Sequence, residues 1–201
     1  MDKEIELKLG IQDEQTMRAL LSDDSILGNK ARTIHLRATY YDTQDLLLAN
    51  SRIGLRLRRE DEDIVATLKY GGGVVDGLHT RIEINKKKDD FNLSLADFPK
   101  ERGMLEEVLG SKELVPLIET DIFRHVRQIE YKDSVLECAL DEGIVRANNR
   151  SVNIRELEVE LIKGSIEALE SFTKNELLDY HLVPEDLSKL ARGIELVHMK
   201  S

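Results

Sequence analysis

The sequence predicts an α+β fold: an antiparallel β-barrel of about eight strands, a charged tunnel inside it and helices packed on its outside. Three observations lead there. Stretch after stretch alternates charged and apolar residues with period two, and because successive strand side chains point to opposite faces, each stretch has one charged and one apolar face. Glu156, Glu158 and Glu160 would repel one another on a single face, while the bases concentrate between Arg56 and Arg81. Only about three helices remain to cover the apolar faces. A sheet closed with its apolar faces outward under those helices satisfies all three.

The elements follow in order. Glu4, Glu6 and Lys8 alternate with Ile5, Leu7 and Leu9 in the opening ten residues. Asp13 to Leu21 carries Met17, Leu20 and Leu21 at helical spacing behind an Asp13 N-cap; 22–31 reads as a loop. Thr33 to Asp42, rich in β-branched and aromatic residues, is a strand leading to a turn or short helix at Leu46–Leu48. Arg52–Arg59 and Ile64–Tyr70 form a hairpin across the acidic turn 60–63, and Gly71-Gly-Gly73 reads as a flexible turn, since it lacks the Lys-Ser/Thr of a phosphate loop. Leu78–Asn85 alternates again, with Arg81, Glu83 and Asn85 on one face. Asp97–Leu109 is a helix with Pro99 in its first turn and Gly110 as its C-cap.

Further on, Ile122–Tyr131 and Ser134–Asp141 are strands joined at Lys132-Asp133, with expected turns at Asp141-Glu-Gly143 and Asn148-Asn-Arg150. The strand of Glu156, Glu158 and Glu160 alternates these acids with Leu157, Val159 and Leu161, and Gly164 stops it. Ser165 caps a helix that runs to His181. Pro184 is expected to open a short helix through Ala191, and Ile194–His198 a last strand or irregular tail.

A chain of 201 residues, 41% of them hydrophobic, can bury one good core, so residues 1–201 are read as one domain. It has no run of eighteen apolar residues and no basic-then-apolar leader, so a cytoplasmic protein without a membrane partner is expected. The net charge of −10 and an aromatic content of 4% oppose nucleic acid binding, because neither broad attraction nor stacking platforms are supplied. Cys138, the only cysteine, excludes an intrachain disulfide and a thiolate zinc site, and is expected buried and inert.

The charged faces collect Glu4, Glu6, Glu83, Glu137, Asp141, Glu156, Glu158 and Glu160 with Lys8, Arg56, Arg58, Lys69, Arg81 and Arg127. Their bland reading is the solvated side of an antiparallel sheet, paired across strands for a few tenths of a kcal/mol per pair. Their chemical reading is a channel for a metal–polyphosphate complex: carboxylates are hard oxygen ligands for Mg²⁺ or Mn²⁺, and arginine and lysine match phosphate oxygens. No HxxxH or HExxH array suggests zinc, and no nucleophile elbow is present. Metal-activated water is the nucleophile this leaves.

The Glu-x-Glu-x-Lys of Glu4–Lys8 resembles the signature of the CYTH superfamily, the triphosphate tunnel metalloenzymes. Tyr40-Tyr-Asp-Thr43, Leu55-Arg-Leu-Arg58, Thr67-Leu-Lys69, Arg81-Ile-Glu83, Leu140-Asp-Glu-Gly143, Glu156-Leu-Glu-Val-Glu-Leu161 and Ser188–Gly193 continue the likeness in the family's order. The wording looks most like the bacterial inorganic triphosphatases. The resemblance implies hydrolysis of inorganic triphosphate to diphosphate and phosphate with Mg²⁺ or Mn²⁺. It implies Glu4, Glu6, Asp141, Glu158 and Glu160 as metal ligands, with Glu4, Glu6, Lys8 and Lys69 at the reaction. Lys8, Arg56, Arg58, Lys69, Arg81, Arg127 and Lys189 would hold phosphate oxygens, and Glu83 and Glu156 are the weaker candidates. The expected partner is a small-molecule triphosphate, and a homodimer stays open. Two departures stand out: Asn85 occupies the place of a frequent second acid, and His125-Val-Arg127, preceded by Arg124, that of a Lys-x-Arg pair. Arg124 and Arg127 cannot both face inward on a regular strand. A nucleoside or thiamine triphosphatase, a class IV adenylyl cyclase and a non-catalytic polyphosphate-binding module are the alternatives.

Overall fold

A computed structural model describes residues 2–199; Met1, Lys200 and Ser201 lie outside them. Eight long strands form the wall: β1 (Asp2–Ile11), β2 (Arg32–Asp42), β3 (Ile53–Glu60), β4 (Asp63–Val75), β5 (Leu78–Lys88), β6 (Val115–Tyr131), β7 (Ser134–Ala147) and β8 (Arg150–Lys163). They pair antiparallel in the order β5-β4-β3-β2-β6-β7-β8-β1, and β1 pairs back onto β5, so the expected barrel is closed. A short β9 (Leu182–Pro184) takes over from β5 along the end of β1, opposite Leu9 to Ile11.

Local chemistry sets the turns. Asn148 and Asn149 both have positive φ, as a two-residue hairpin between right-twisted strands requires. Gly71–Gly73 does not turn the chain. β4 runs on to Val75 through an irregularity in its pairing with β5 between Tyr70 and Gly73, and the turn comes at Asp76 and Gly77. Gly72, at φ +70°, is needed there because a Cβ would stand 1.7 Å from the Thr80 carbonyl oxygen. The turn expected at 141–143 is also absent, since β7 pairs without a break from Leu136 to Ala147 with β8.

Apolar faces point outward, as their alternation with charge predicts. On one side Leu55, Leu57, Ala66 and Leu68 lie under Phe98 and the Leu105 and Leu109 of α3 (Arg102–Leu109), with Leu48 of α2 (Leu47–Asn50) beside them. The helix expected over 97–109 is split into a 3-10 turn at Leu95–Asp97, capped by Ser94, and α3, with Pro99 between them. On the other side Leu9, Leu140, Leu157 and Val159 lie under Leu20 of α1 (Glu14–Ser22) and Leu169 and Phe172 of α4 (Ile166–Glu176). Cys138 is buried in this layer as expected, and burial pushes its thiol up to about 12.

The C-terminal segment departs from expectation. Pro184 ends β9 instead of opening a helix, and residues 194–198 belong to α5 (Lys189–His198), which Ser188 caps through its side chain. Leu190, Ile194 and Val197 share a helix face, and the shorter alternation of Ile194 with Leu196 imitates a strand. Ile118, Ile122 and Val126 stand on the same face of β6 as the cavity-lining Thr120 and Arg124. The α5 apolar face packs on this group, so the helix crosses one mouth of the barrel and part of the inward surface there is apolar. Gly193 permits the contact, since a Cβ would approach the Ile118 side chain to 2.4 Å. Gly193→Ala is therefore expected to destabilise the fold by about 1–3 kcal/mol through overpacking, read as a lower midpoint in urea unfolding. An unchanged midpoint would mean that α5 is not held against Ile118.

Candidate active site

The inward faces enclose a cavity of about 1160 Å³. Register places its charges. β1 sets Glu6 opposite Glu160 and Lys8 opposite Glu158, β4 and β5 set Lys69 opposite Glu83, and β6 and β7 set Arg124 opposite Asp141. Glu4, Glu6, Lys8, Arg56, Arg58, Lys69, Arg81, Glu83, Asp141, Glu158, Glu160 and Lys189 all line this one space, and Glu156 reaches Lys8 and Lys189 from the same face. The solvated-face reading of these strands is set aside by burial: Glu6, Lys8, Glu156 and Asp141 expose 4, 3, 1 and 0% of their surface.

The charges fall into two groups. Near α5, Asp141, Glu156 and Glu158 bring carboxylate oxygens within 4.8 Å of one another. Three cations answer them. Lys8 Nζ lies 2.6 Å from Glu158, Lys189 Nζ 2.6 Å from Asp141 and against Glu156, and Arg124 donates through Nε and Nη2 to both Asp141 oxygens at 2.7 Å and also to Glu158. Burial opposes ionisation throughout, yet Arg124 and Lys189 hold the Asp141 carboxyl below its ordinary range, and Lys189, Lys8 and Arg124 do the same for Glu158. Burial likewise opposes the Lys8 charge, but Glu158, Glu156 and Glu6 outweigh it and raise its pKa.

The second group has acid in excess. Lys69 Nζ bridges Glu4 at 2.7 Å and Glu83 at 2.6 Å, and Arg81 Nη2 donates to Glu6 at 2.7 Å. Glu160 has no ion pair or hydrogen bond among the described residues, and Glu4 Oε2 is buried without a hydrogen-bond partner. Burial pushes Glu4 up to about 8, with Glu6 and Glu83 adding to it against Lys69; burial, Glu6 and Glu83 push Glu160 to about 7. Glu83 stays ionised despite burial because Lys69 and Arg56 face it. Four carboxylates, Glu4, Glu6, Glu83 and Glu160, face Lys69, Arg81 and Arg56, so acid stays in excess, and hard oxygen ligands of this kind suit a divalent cation.

Donors stand among the same acids, with Arg56 Nη2 3.8 Å from Glu83 and Arg81 Nε 3.6 Å from Glu4 Oε2. The Nε atoms of Arg56 and Arg81 are buried without a hydrogen-bond partner. Arg58, held by Glu60, has its pKa lowered to about 10 by burial and by Arg56 beside it. Buried donors left unmade are costly, and phosphate oxygens would satisfy them.

Arg127 is not in the tunnel. It stands opposite Cys138 on the outward face and donates to the backbone oxygens of Asp24 and Leu27, tying the loop after α1 to the barrel. Arg124 takes the inward position. Two other tunnel residues escaped the sequence reading: Tyr40, whose hydroxyl accepts from Arg56 at 3.4 Å, and His79, 4% exposed and opposite Glu6. The parity of Leu78–Asn85 put His79 on the face of Arg81, a signal that was available.

The family model that matches is the CYTH domain, over residues 2–194. The chain belongs to this family. A curated relative, the inorganic triphosphatase of Haemophilus influenzae, is 34% identical over 200 residues, which is 96% of this chain and 54% of the relative. The chain thus spans about half the length of that relative. Among solved structures, a Hippeastrum protein described as a candidate adenylyl cyclase with a dominant triphosphatase activity aligns with TM-score 0.68 at 21% identity, covering 96% of this chain and 95% of that one. A candidate adenylate cyclase of Bacillus halodurans aligns at 0.59 and 20% identity, over 96% of this chain and 98% of its own. At these identities the structural likeness concerns the CYTH tunnel fold.

Proposed function

We propose that this CYTH protein, acting as one unit over residues 1–201, hydrolyses inorganic triphosphate to diphosphate and phosphate, with Mg²⁺ or Mn²⁺ as its metal. The observation that carries this reading is one cavity that holds both an acid-rich group and two buried guanidinium Nε donors, of Arg56 and Arg81, without a hydrogen-bond partner. A bare polyphosphate site would need the second but not the first. The 34% identity to a relative named as an inorganic triphosphatase supports the same choice. No helix of the described residues is long and apolar enough to cross a membrane, and the free buried thiol of Cys138 suits a cytoplasmic setting.

Glu4, Glu6 and Glu160 would hold the cation, with Glu158 and Asp141 reaching it once substrate takes over some of their cations. When bound, the metal supplies a Lewis acid and lowers the pKa of a water. The chain's own residues do the rest. Arg56, Arg58, Lys69 and Arg81 donate to phosphate oxygens, Lys8, Lys189 and Arg124 fix the far end, and the three phosphates are held for in-line attack. The charge that grows on the leaving diphosphate meets fixed cations in a space largely withdrawn from water.

The cavity is large enough that triphosphate does not fill it, so preference must come from contacts. Every donor named above can meet a phosphate oxygen, whereas the lining supplies Tyr40, His79 and Phe98 as its only aromatic rings among the described residues. Inorganic triphosphate is therefore expected to exceed ATP in kcat/KM by about tenfold, or roughly 1.4 kcal/mol in differential transition-state binding. Phosphate release from both substrates with Mg²⁺, at neutral and alkaline pH, decides it. A higher value for ATP or thiamine triphosphate, or cyclic AMP as product, would overturn the substrate assignment. Tight triphosphate binding with no turnover at any metal would indicate a binding module.

A further inference from the structure

The side of β1 that pairs with β5 changes partner at Lys8. The Lys8 amide donates to the Gly77 carbonyl oxygen at 2.8 Å, in the β4–β5 turn, and its own carbonyl accepts from the Glu185 amide at 3.0 Å. Residues 182–188 therefore form a strap that begins as β9, passes behind Lys8 and ends at Ser188, the cap of α5. Lys189, the first residue of α5, stands in the tunnel against Asp141, Glu156 and Glu158. Where the strap sits decides where this ammonium sits.

Two side chains bind the strap to the β4–β5 end of the wall. Asp186 accepts from the Gly77 amide at 2.8 Å, and His79 Nε2 lies 2.9 Å from the Glu185 carbonyl oxygen. A carbonyl can only accept, so Nε2 carries the hydrogen. Glu185 in turn accepts from the Leu187 amide and pairs with Arg192 of α5, which makes strap and helix one body. His79 is the inward, buried member of this set, and the phosphate chemistry described above does not use it.

We propose that His79 is a positioning residue: by holding the Glu185 carbonyl it fixes strap and α5, and through them places Lys189 for the phosphate chain. This rests on the triphosphatase reading for its kinetic consequence but not for its structural one. A glutamine can present an amide N–H at the same distance from the backbone as His79 Nε2, whereas alanine cannot.

The test compares His79→Ala, His79→Gln, Lys189→Met and the His79→Ala/Lys189→Met double variant, each by triphosphate kinetics and by hydrogen exchange of the ligand-free protein. His79→Ala is expected to lower kcat/KM by about tenfold, mainly through KM, and to speed exchange in 185–198. His79→Gln should restore most of both. In the Lys189→Met background, His79→Ala should cost less than about twofold, because the residue it acts through is gone. Additive losses in the double variant, no rescue by glutamine, or unaltered exchange in His79→Ala would overturn the proposal. If wild-type protein proves inactive on triphosphate, the function reading fails, and the exchange data alone decide whether His79 holds the strap.

Discussion

Exhaustive chelation is expected to bring phosphate release to background, with recovery on adding Mg²⁺ or Mn²⁺, and Glu6→Gln to lower turnover at least about a hundredfold even at saturating metal. The reason lies in the charge balance of the second group. Glu6 is 4% exposed and sits between Arg81 at 2.7 Å and Lys8 at 3.9 Å, where Lys8, Lys69 and Arg81 keep it ionised despite burial and the neighbouring Glu158. It is the one acid of the trio Glu4, Glu6 and Glu160 whose pKa stays below its ordinary value; the other two are raised toward neutrality. Glutamine keeps its volume and can still accept from Arg81, so the fold should survive while the one carboxylate of the three that stays ionised is lost. Circular dichroism and urea unfolding check the fold, and phosphate release checks the rate. Wild-type rates in a folded Glu6→Gln protein, or full activity after chelation, would remove the carboxylates from the chemistry and leave a tunnel that binds phosphate by its cations alone.

Much of this site was legible because its strands are regular. Along β1 and β8 the period of two admits no ambiguity, so Glu4, Glu6, Lys8, Glu158 and Glu160 could be assigned to one face from sequence, and burial bears that face out as interior. Legibility failed where two periods overlap or where the interior is not charged. Ile194 and Leu196 read as alternating, but the Ser188 cap and the spacing of Leu190, Ile194 and Val197 make α5. Gly143 read as a turn because glycine commonly marks one, whereas here it allows β6 and β7 to approach, its missing Cβ lying 2.1 Å from the Asp121 carbonyl oxygen. On β6 the apolar Ile118, Ile122 and Val126 face inward with Arg124. A reader who assigns apolar residues to the outside there reverses the strand and sends Arg127 into the tunnel.

That reversal yields the other large effect. Arg124→Ala is expected to reduce kcat/KM at least about a hundredfold, while Arg127→Ala stays within about twofold of wild type. Arg124 spans both Asp141 oxygens and Glu158, and Asp141 is fully buried. Without the guanidinium, Lys189 and Lys8 would be left to answer the charge of Asp141, Glu156 and Glu158, drawn further onto the acids and away from substrate. Breaking a buried ion pair by removing one partner costs about 3–5 kcal/mol, so the variant should also unfold at lower urea. Arg127 carries a different load. Its hydrogen bonds to the Asp24 and Leu27 carbonyls lie outside the barrel, and losing them should cost about 1–3 kcal/mol of stability without moving a tunnel residue. The two variants thus separate cleanly, one losing rate and stability together and the other stability alone. Equal rates for both, or a larger rate loss for Arg127→Ala, would mean that β6 presents its other face to the tunnel and that the register with Asp141 is wrong.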